Sequence, residues 1–466
     1  MNLGLTRLLL SGTLLSGTVL SGALLSGALL SAALGATAQA AEPPLQIPFE
    51  KTELDNGLDL ILSEDHSVPF VWVEVWYSVG SKDEKAGRTG FAHLYEHLMF
   101  QGSAHLNDDY FVPLQAIGAR INGTTNTDRT NYFEGVPSEH LPLALWLESD
   151  RMGYLLPALD GAKLQNQKDV VRNERRQSYE NRPYGKVWMW LAEALYPEGH
   201  PYHTVTIGKH EDIEAATLED VKDFFRTWYV PNNATLAIVG DFDPAQAKAL
   251  VQQYFGSIPK GPQPTPVMEA PASLDAEKVI RKEDDVPLAK VWISWLTPKS
   301  LAPGDADLDI VANLLSDGKD SRLYVELVKN KQIAKEIAAY QSSSFLGSEF
   351  VVEATAAEGH TTDEVVAAID QQLSLLRAQG PTQGEVDVAR TQYRVGAYGS
   401  LQTIQGKANR LCNYNVLKGD PGYLGQDLAR YDQITIATAQ EAARQWLPQD
   451  KRVVLHVTPR AKTGGK

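Results

Sequence analysis

Two stretches of this chain, more than two hundred residues apart, carry the same strand pattern, and that repetition limits the folds open to it. Val68-Pro69-Phe70-Val71-Trp72-Val73-Glu74-Val75-Trp76 is echoed by Val286-Pro287-Leu288-Ala289-Lys290-Val291-Trp292-Ile293-Ser294-Trp295, at an offset of 218 (286 minus 68). Tyr229-Val230-Pro231 before the apolar run 234–239 is echoed by Trp446-Leu447-Pro448 before 452–457, at an offset of 217 (448 minus 231). Such density of β-branched and aromatic residues reads as sheet interior, and a near-constant offset at two separate places reads as duplication. The expected fold is α+β: two homologous domains of duplicated fold, each a mainly antiparallel sheet packed with helices. Five prolines without periodicity mark a linker at 257–275. The domains are then 41–256 and 276–466.

Residues 1–40 are read as a secretory signal rather than as part of the fold. Arg7 is the only charge before Glu42, a Leu-Ser-Gly pattern recurs every five residues, and Ala38-Gln39-Ala40 offers a small-x-small cleavage site. No later stretch is long and apolar enough to span a bilayer, so the expectation is a periplasmic protein without a membrane anchor once the signal is cleaved. Without Arg7 the formal charge moves from −15 to −16, an acidic balance that argues against nucleic acid as a partner. The single cysteine, Cys412, excludes an internal disulfide; its apolar neighbours make it a packed thiol.

Within the first domain, Asn56-Gly57 signals a hairpin between strands 49–54 and 58–62. A short helix is expected at 110–117, and strands 120–125 and 130–134 should pair around Asn126-Thr127-Asp128. Helices are predicted over 138–155, 161–181, 186–195, 217–228 and 243–255.

Between the first strands and these helices lies Phe91-Ala92-His93-Leu94-Tyr95-Glu96-His97-Leu98-Met99-Phe100. As a helix it sets His93 and His97 one turn apart on one face, with Glu96 beside them. Phe91, Leu94 and Leu98 form an apolar stripe that anchors it. Two imidazoles at i, i+4 suit Zn²⁺, and a neighbouring carboxylate suits a general base for water. His-x-x-Glu-His inverts the commoner zinc-protease order. A catalytic zinc takes a third protein ligand; His105, Glu134, His140, Glu148 and Glu174 are candidates, and position alone does not choose among them. Ser321–Leu327 lies where Ala92–Leu98 would recur and holds no histidine, so only the first domain is expected to carry metal.

His-Leu-Tyr-Glu-His at 93–97, Asn-Gly-Thr-Thr at 122–125 and Val171-Arg172-Asn173-Glu174-Arg175-Arg176, with the second domain behind them, resemble the pitrilysin/insulinase family of zinc peptidases. The likeness is to the subgroup of mitochondrial processing peptidases and their bacterial relatives. It implies a zinc endopeptidase with one Zn²⁺ held by His93, His97 and Glu174, and Glu96 as catalytic base. It also implies that Asn122, Gly123 and Thr124 lie along the peptide substrate, with Asn122 donating to the developing oxyanion, and that the strand edge binds peptide by strand addition. Two departures stand out. Gln167 sits where some relatives carry a helping Glu. Lys329, and Lys335 or Glu336, stand where an Arg/Tyr pair would complete the site of a partnering half. The resemblance therefore implies a homologous partner subunit that supplies the pair, with Tyr340 of this chain as the alternative.

Overall fold

The strands form two sheets whose layouts match strand for strand once the extra outer strand of the first is set aside. The computed structural model describes residues 45–460, apart from 266 and 269–271; the expected signal, 1–40, lies outside the described residues. The first sheet contains β1 (Glu50–Glu53), β2 (Asp59–Glu64), β3 (Phe70–Tyr77), β4 (Arg120–Thr125), β5 (Thr130–Pro137) and β6 (Ala234–Gly240), in the order β1-β2-β6-β3-β5-β4. The second contains β7 (Lys278–Asp284), β8 (Lys290–Thr297), β9 (Ala334–Ser342), β10 (Ser348–Ala356) and β11 (Val453–Pro459), in the order β7-β11-β8-β10-β9. Each sheet is antiparallel except for one pair, β2 with β6 and β7 with β11. The mainly antiparallel α+β duplication expected from the repeat is what forms.

The first half's helices are α1 (Phe91–Leu98), α2 (Phe111–Gln115), α3 (Leu141–Ala158), α4 (Gly161–Arg175), α5 (Val187–Leu195), α6 (His210–Ala215), α7 (Leu218–Trp228) and α8 (Pro244–Phe255). The second half's are α9 (Asp305–Ser316), α10 (Thr362–Gln379), α11 (Gln383–Ser400), α12 (Ile404–Lys418), α13 (Leu424–Asp432) and α14 (Ile436–Trp446). Wide π turns follow α4 at Arg176–Glu180 and precede β9 at Tyr324–Asn330.

Strands β3 and β6 are buried almost end to end, the pattern of a sheet covered on both faces. The covering layers are exchanged between the halves. One face of the first sheet packs on its own helices. The other, with Ile61, Trp72, Trp76 and Val239, packs on Leu411, Cys412 and Tyr414 of α12 from the second half. Reciprocally, Trp292, Val351 and Leu455 of the second sheet pack on Val187 and Leu191 of α5 from the first. Residues 45–460 accordingly behave as one compact unit. Cys412 is a buried free thiol within that exchanged layer.

The topology corrects one sequence expectation. Helix α1 follows β3 and packs on β4, α4 and α7; α9 follows β8 and packs on β9, α11 and α14. The counterpart of α1 is therefore α9, and the turn at 324–330 corresponds to short α2. The Leu-Tyr shared by 94–95 and 323–324 reflects apolar spacing that any amphipathic helix carries, not register. On α9, Asp305 and Asp309 are joined to Arg430 (3.3 Å) and to the Tyr431 hydroxyl (2.6 Å). Neither half loses the earlier conclusion: the second has no histidine there.

Candidate metal centre

Helix α1 is anchored as its sequence dictates. Phe91, Leu94, Tyr95 and Leu98 are buried, which turns His93, Glu96 and His97 toward a groove. Its start is fixed by Gly90, whose φ of +88° suits glycine; a Cβ there would meet Ile213 Cδ1 at 2.6 Å. Glu84 then caps the helix from outside it. Its two carboxyl oxygens accept the N–H groups of Gly90 (2.8 Å) and Ala92 (2.9 Å), which answers the unpaired donors of a helix N-terminus.

Helix α4 begins at Asp160, whose carboxylate accepts the N–H groups of Ala162 and Lys163 at 2.9 Å. It runs alongside α1 and brings Glu174 to the two histidines at its last turn. Glu174 Oε2 lies 3.3 Å from His97 Nε2 and 3.7 Å from His93 Nε2. All three donor atoms fall within 4.8 Å of one another, and this is the cluster of three or more potential metal ligands among the described residues. The flanking arginines are engaged elsewhere: Arg172 with Glu214 (3.2 Å), Arg175 with Glu180 (3.1 Å), Arg176 with Asn173 (2.7 Å). The Glu174 carboxylate is left to the imidazoles. Of the other candidates, His105 pairs with Asp150, and Glu134 and Glu148 are buried beside Arg151.

The electrostatics suit a cation. Burial, reinforced by His97, pulls the His93 imidazole down to about 4, so its lone pair is not masked by a proton. Its Nδ1 is enclosed and unpartnered, which leaves Nε2 as the atom facing the cluster. The hydrogen bond with His97 holds the Glu174 carboxyl below the usual range. Donors about 2.0–2.2 Å from a tetrahedral zinc sit roughly 3.3–3.6 Å apart, and the Glu174 oxygen stands near that spacing from both imidazole nitrogens, at 3.3 Å and 3.7 Å; two imidazoles and a carboxylate are a donor set that suits zinc.

Glu96 stands beside this cluster. Burial pushes its carboxyl up, opposed by the Thr125 hydroxyl and by His97. Strand β4 is the sheet's outer strand and lies against α1 so closely that a Cβ on Gly123 would stand 3.1 Å from Glu96 Cγ. Alternation along a strand places Gly123 and Thr125 on the α1 side. Asn122 and Thr124 stand on the other, opposite Phe133 and Asn131, whose partners Trp72 and Glu74 face α12. The Asn122 Oδ1 accepts the Gly123 N–H at 2.9 Å. Strand β4 lies alongside Glu96, and the Asn122 and Thr124 side chains are turned from the metal cluster, so the oxyanion role expected of the Asn122 amide is not met from that face.

Three residues near the site escaped sequence reading. Glu84 precedes its helix by too many residues for any capping pattern. Thr125 was recoverable, since it shares the period-2 face of Gly123. Arg129 donates to the Thr124 carbonyl (2.8 Å) and lies over the Trp76 ring (5.1 Å), fixing the end of β4. Gln167 is buried.

Comparison with known proteins places the chain in a family. A sequence model described as insulinase (peptidase family M16) matches residues 60–200, and one described as the peptidase M16 inactive domain matches 215–393. The zinc protease PqqE of Helicobacter pylori is 29% identical over 398 residues, covering 83% of this chain and 89% of that protein. A solved protease structure from Helicobacter pylori matches with a TM-score of 0.83 at 26% identity, over 89% of this chain and 100% of the other. The periplasmic protease PqqL from Escherichia coli shares the fold at a TM-score of 0.74 and 17% identity; 90% of this chain covers 48% of that one. With the inverted histidine motif, the duplicated sheets and both halves matched, the chain belongs to the insulinase (M16) family of peptidases.

Proposed function

We propose that this chain is a zinc endopeptidase acting on peptides and unfolded polypeptide segments in the periplasm, as the metal-bearing member of a pair of related subunits. The observation that carries the reading is the convergence of His93, His97 and Glu174 from two helices, with Glu96 alongside and unengaged by them. When bound there, zinc supplies a Lewis acid that polarises a carbonyl and brings the pKa of water to about 7.

The chain's own residues do the rest. Glu96, its carboxyl raised by burial, takes the proton of the attacking water and returns it to the leaving amine. The free edge of β4 holds an extended substrate through backbone hydrogen bonds, which gives affinity without strict sequence choice. Gly123 keeps that strand close enough to α1 for the scissile carbonyl to meet the water that Glu96 deprotonates.

Support for a partner comes from what stands at the expected Arg/Tyr positions. Lys329 and Lys335 are exposed and paired with Asp320 (3.0 Å) and Glu358 (3.2 Å), and Glu336 is exposed. Lysine lacks the planar two-point donor geometry of arginine, and none of the three replaces a phenol. Tyr340 lines a cavity between the two halves of its own chain. The PqqL chain is about twice this length, and the present fold matches 48% of it.

The test separates ligands from base. Glu96→Gln should retain zinc and lose roughly 10²-fold or more in kcat, while Glu174→Ala should lose zinc itself. Metal content and peptide hydrolysis are measured on the same preparations. A fully metallated, active Glu174→Ala protein would remove the third-ligand assignment.

A further inference from the structure

A groove of about 430 Å³ contains the metal ligand Glu174 and is lined also by Tyr179, Arg182 and Trp188 of the first half and by Lys290 and Glu353 of the second. Its charged residues are Glu174, Arg182, Lys290 and Glu353. Three of the four are already answered. Glu174 turns to the two imidazoles, at 3.3 Å and 3.7 Å, and Lys290 pairs with Glu353 at 3.4 Å. Arg182 is exposed, and its guanidinium has no acid and no hydrogen-bond acceptor among the described residues. One charge in the groove is left over, and it is a cation.

That cation does not ride on a loose loop. Arg182 opens a turn closed by the Gly185 N–H, which donates to the Arg182 carbonyl at 2.9 Å. Pro183 fixes its own φ. Tyr184 follows at φ +62°, a left-handed conformation that is costly for a bulky side chain. Contacts with the second half offset that cost: the Tyr184 hydroxyl donates to the Leu288 carbonyl (2.7 Å), and its ring lies 5.6 Å from that of Trp292. Lys186, two residues on, reaches Asp284 at 3.7 Å. Strained backbone that its surroundings hold in place clusters at functional sites, and here it sets where the guanidinium stands.

What Arg182 lacks is an acceptor. A guanidinium presents its N–H donors in a planar fork that matches both oxygens of a carboxylate. The rings of Tyr179 and exposed Trp188 in the same groove offer apolar surface to the rest of the residue that carries it. Helix α4 and the wide turn after it lead on the order of 10 Å from Glu174 toward Arg182, about three residues of an extended substrate. The whole chain has a formal charge of −15, so its long-range field attracts basic peptides. An acidic group is held here by local contact alone.

We propose that Arg182 is a specificity-determining residue that receives a carboxylate of the substrate, a few positions from the bond that is cut. A glutamate or aspartate side chain and the peptide's own C-terminus share this chemistry. The proposal rests on the peptidase reading for its substrate and deepens it to peptides carrying an acidic group at a set distance from the cleavage point.

The experiment measures binding apart from cleavage. Zinc-loaded Glu96→Gln protein is titrated by calorimetry with unstructured peptides in matched pairs: glutamate against glutamine at successive positions, and a free against an amidated C-terminus. One pair should show the carboxylate form binding about fivefold more tightly, the upper reach of a partly exposed ion pair, and which pair does so names the source. In Glu96→Gln/Arg182→Gln protein that ratio should fall to about one. Arg182→Lys should keep only part of it, because an ammonium retains the charge and loses the two-point geometry. Arg182 is exposed, so both variants are expected to fold. Equal binding within every pair overturns the inference, as does a carboxylate preference that survives Arg182→Gln, the result of a carboxylate that binds the zinc instead. Hydrolysis by the wild-type chain is scored separately: a chain that binds carboxylate peptides through Arg182 and cuts none would defeat the peptidase reading and leave the subsite standing.

Discussion

Gly123 and Glu96 meet across the gap between the sheet's outer strand and the metal helix, where an added methyl group on the glycine would stand 3.1 Å from the glutamate's Cγ. The same methyl would meet Tyr132 at 3.1 Å and Phe100 at 3.2 Å, so relief has to come from Glu96 or from the strand. Gly123→Ala is expected to leave zinc content unchanged and to lower kcat/KM by roughly 10- to 100-fold, because the base or the substrate edge is displaced. Metal analysis beside steady-state kinetics checks it; unchanged kinetics would mean the strand shifts freely.

Glu84 holds the first turn of the metal helix through two backbone N–H groups. Glu84→Ala leaves both donors unpaired and should cost about 1–2 kcal/mol of stability. The histidines ride on that helix, so zinc should also be stripped faster by a chelator. Thermal melts and chelator competition read the two effects. A destabilised variant that releases zinc at the wild-type rate would show that the cap supports the fold and not the ligand geometry.

Burial pushes the Asp309 carboxyl up to about 7, with the Tyr431 hydroxyl pulling it back and the Asp305 charge adding to the rise. Its folded value therefore lies above its unfolded one, and the native state keeps a proton that the unfolded chain gives up between about pH 4 and 7. This group's contribution is greatest below that window and declines as pH rises through it. Asp309→Asn should flatten the decline by on the order of 2–4 kcal/mol and raise the melting temperature at pH 8 relative to wild type. An unaltered stability profile would show that Asp309 ionises normally in the fold.

The partner requirement predicts a split between metal binding and turnover. The purified chain alone should bind one zinc yet hydrolyse peptides poorly. Adding a related subunit that carries the Arg/Tyr pair should raise kcat/KM by about 10²-fold or more, the scale of a lost oxyanion donor. Full activity from a homogeneous preparation of this chain refutes the requirement.

Much of the site was legible because its rules are local. His93 and His97 face one way because helical spacing puts i and i+4 on one face, and the apolar stripe of Phe91, Leu94 and Leu98 decides which way that is. The duplication was legible from strand composition, yet its register was not. The helix equivalent to α1 was sought at 321–327 and lies at Asp305–Ser316, since amphipathic spacing is common to both segments and only packing against β9, α11 and α14 tells them apart.

By itself, then, the sequence determined the two sheets, the inverted histidine pair and the glutamate beside it, all products of short-range periodicity and residue chemistry. Only the tertiary structure decided the features that join distant segments. Glu174 reaches His97 because α4 packs beside α1. Asn122 is turned away and Thr125 turned in because β4 pairs with β5 in one register. Trp72 meets Leu411 of α12, and Trp292 meets Val187 of α5, because the halves exchange their covering helices. Contacts of that kind depend on how chain segments far apart in sequence fill a shared volume, and no local pattern records which segments will meet.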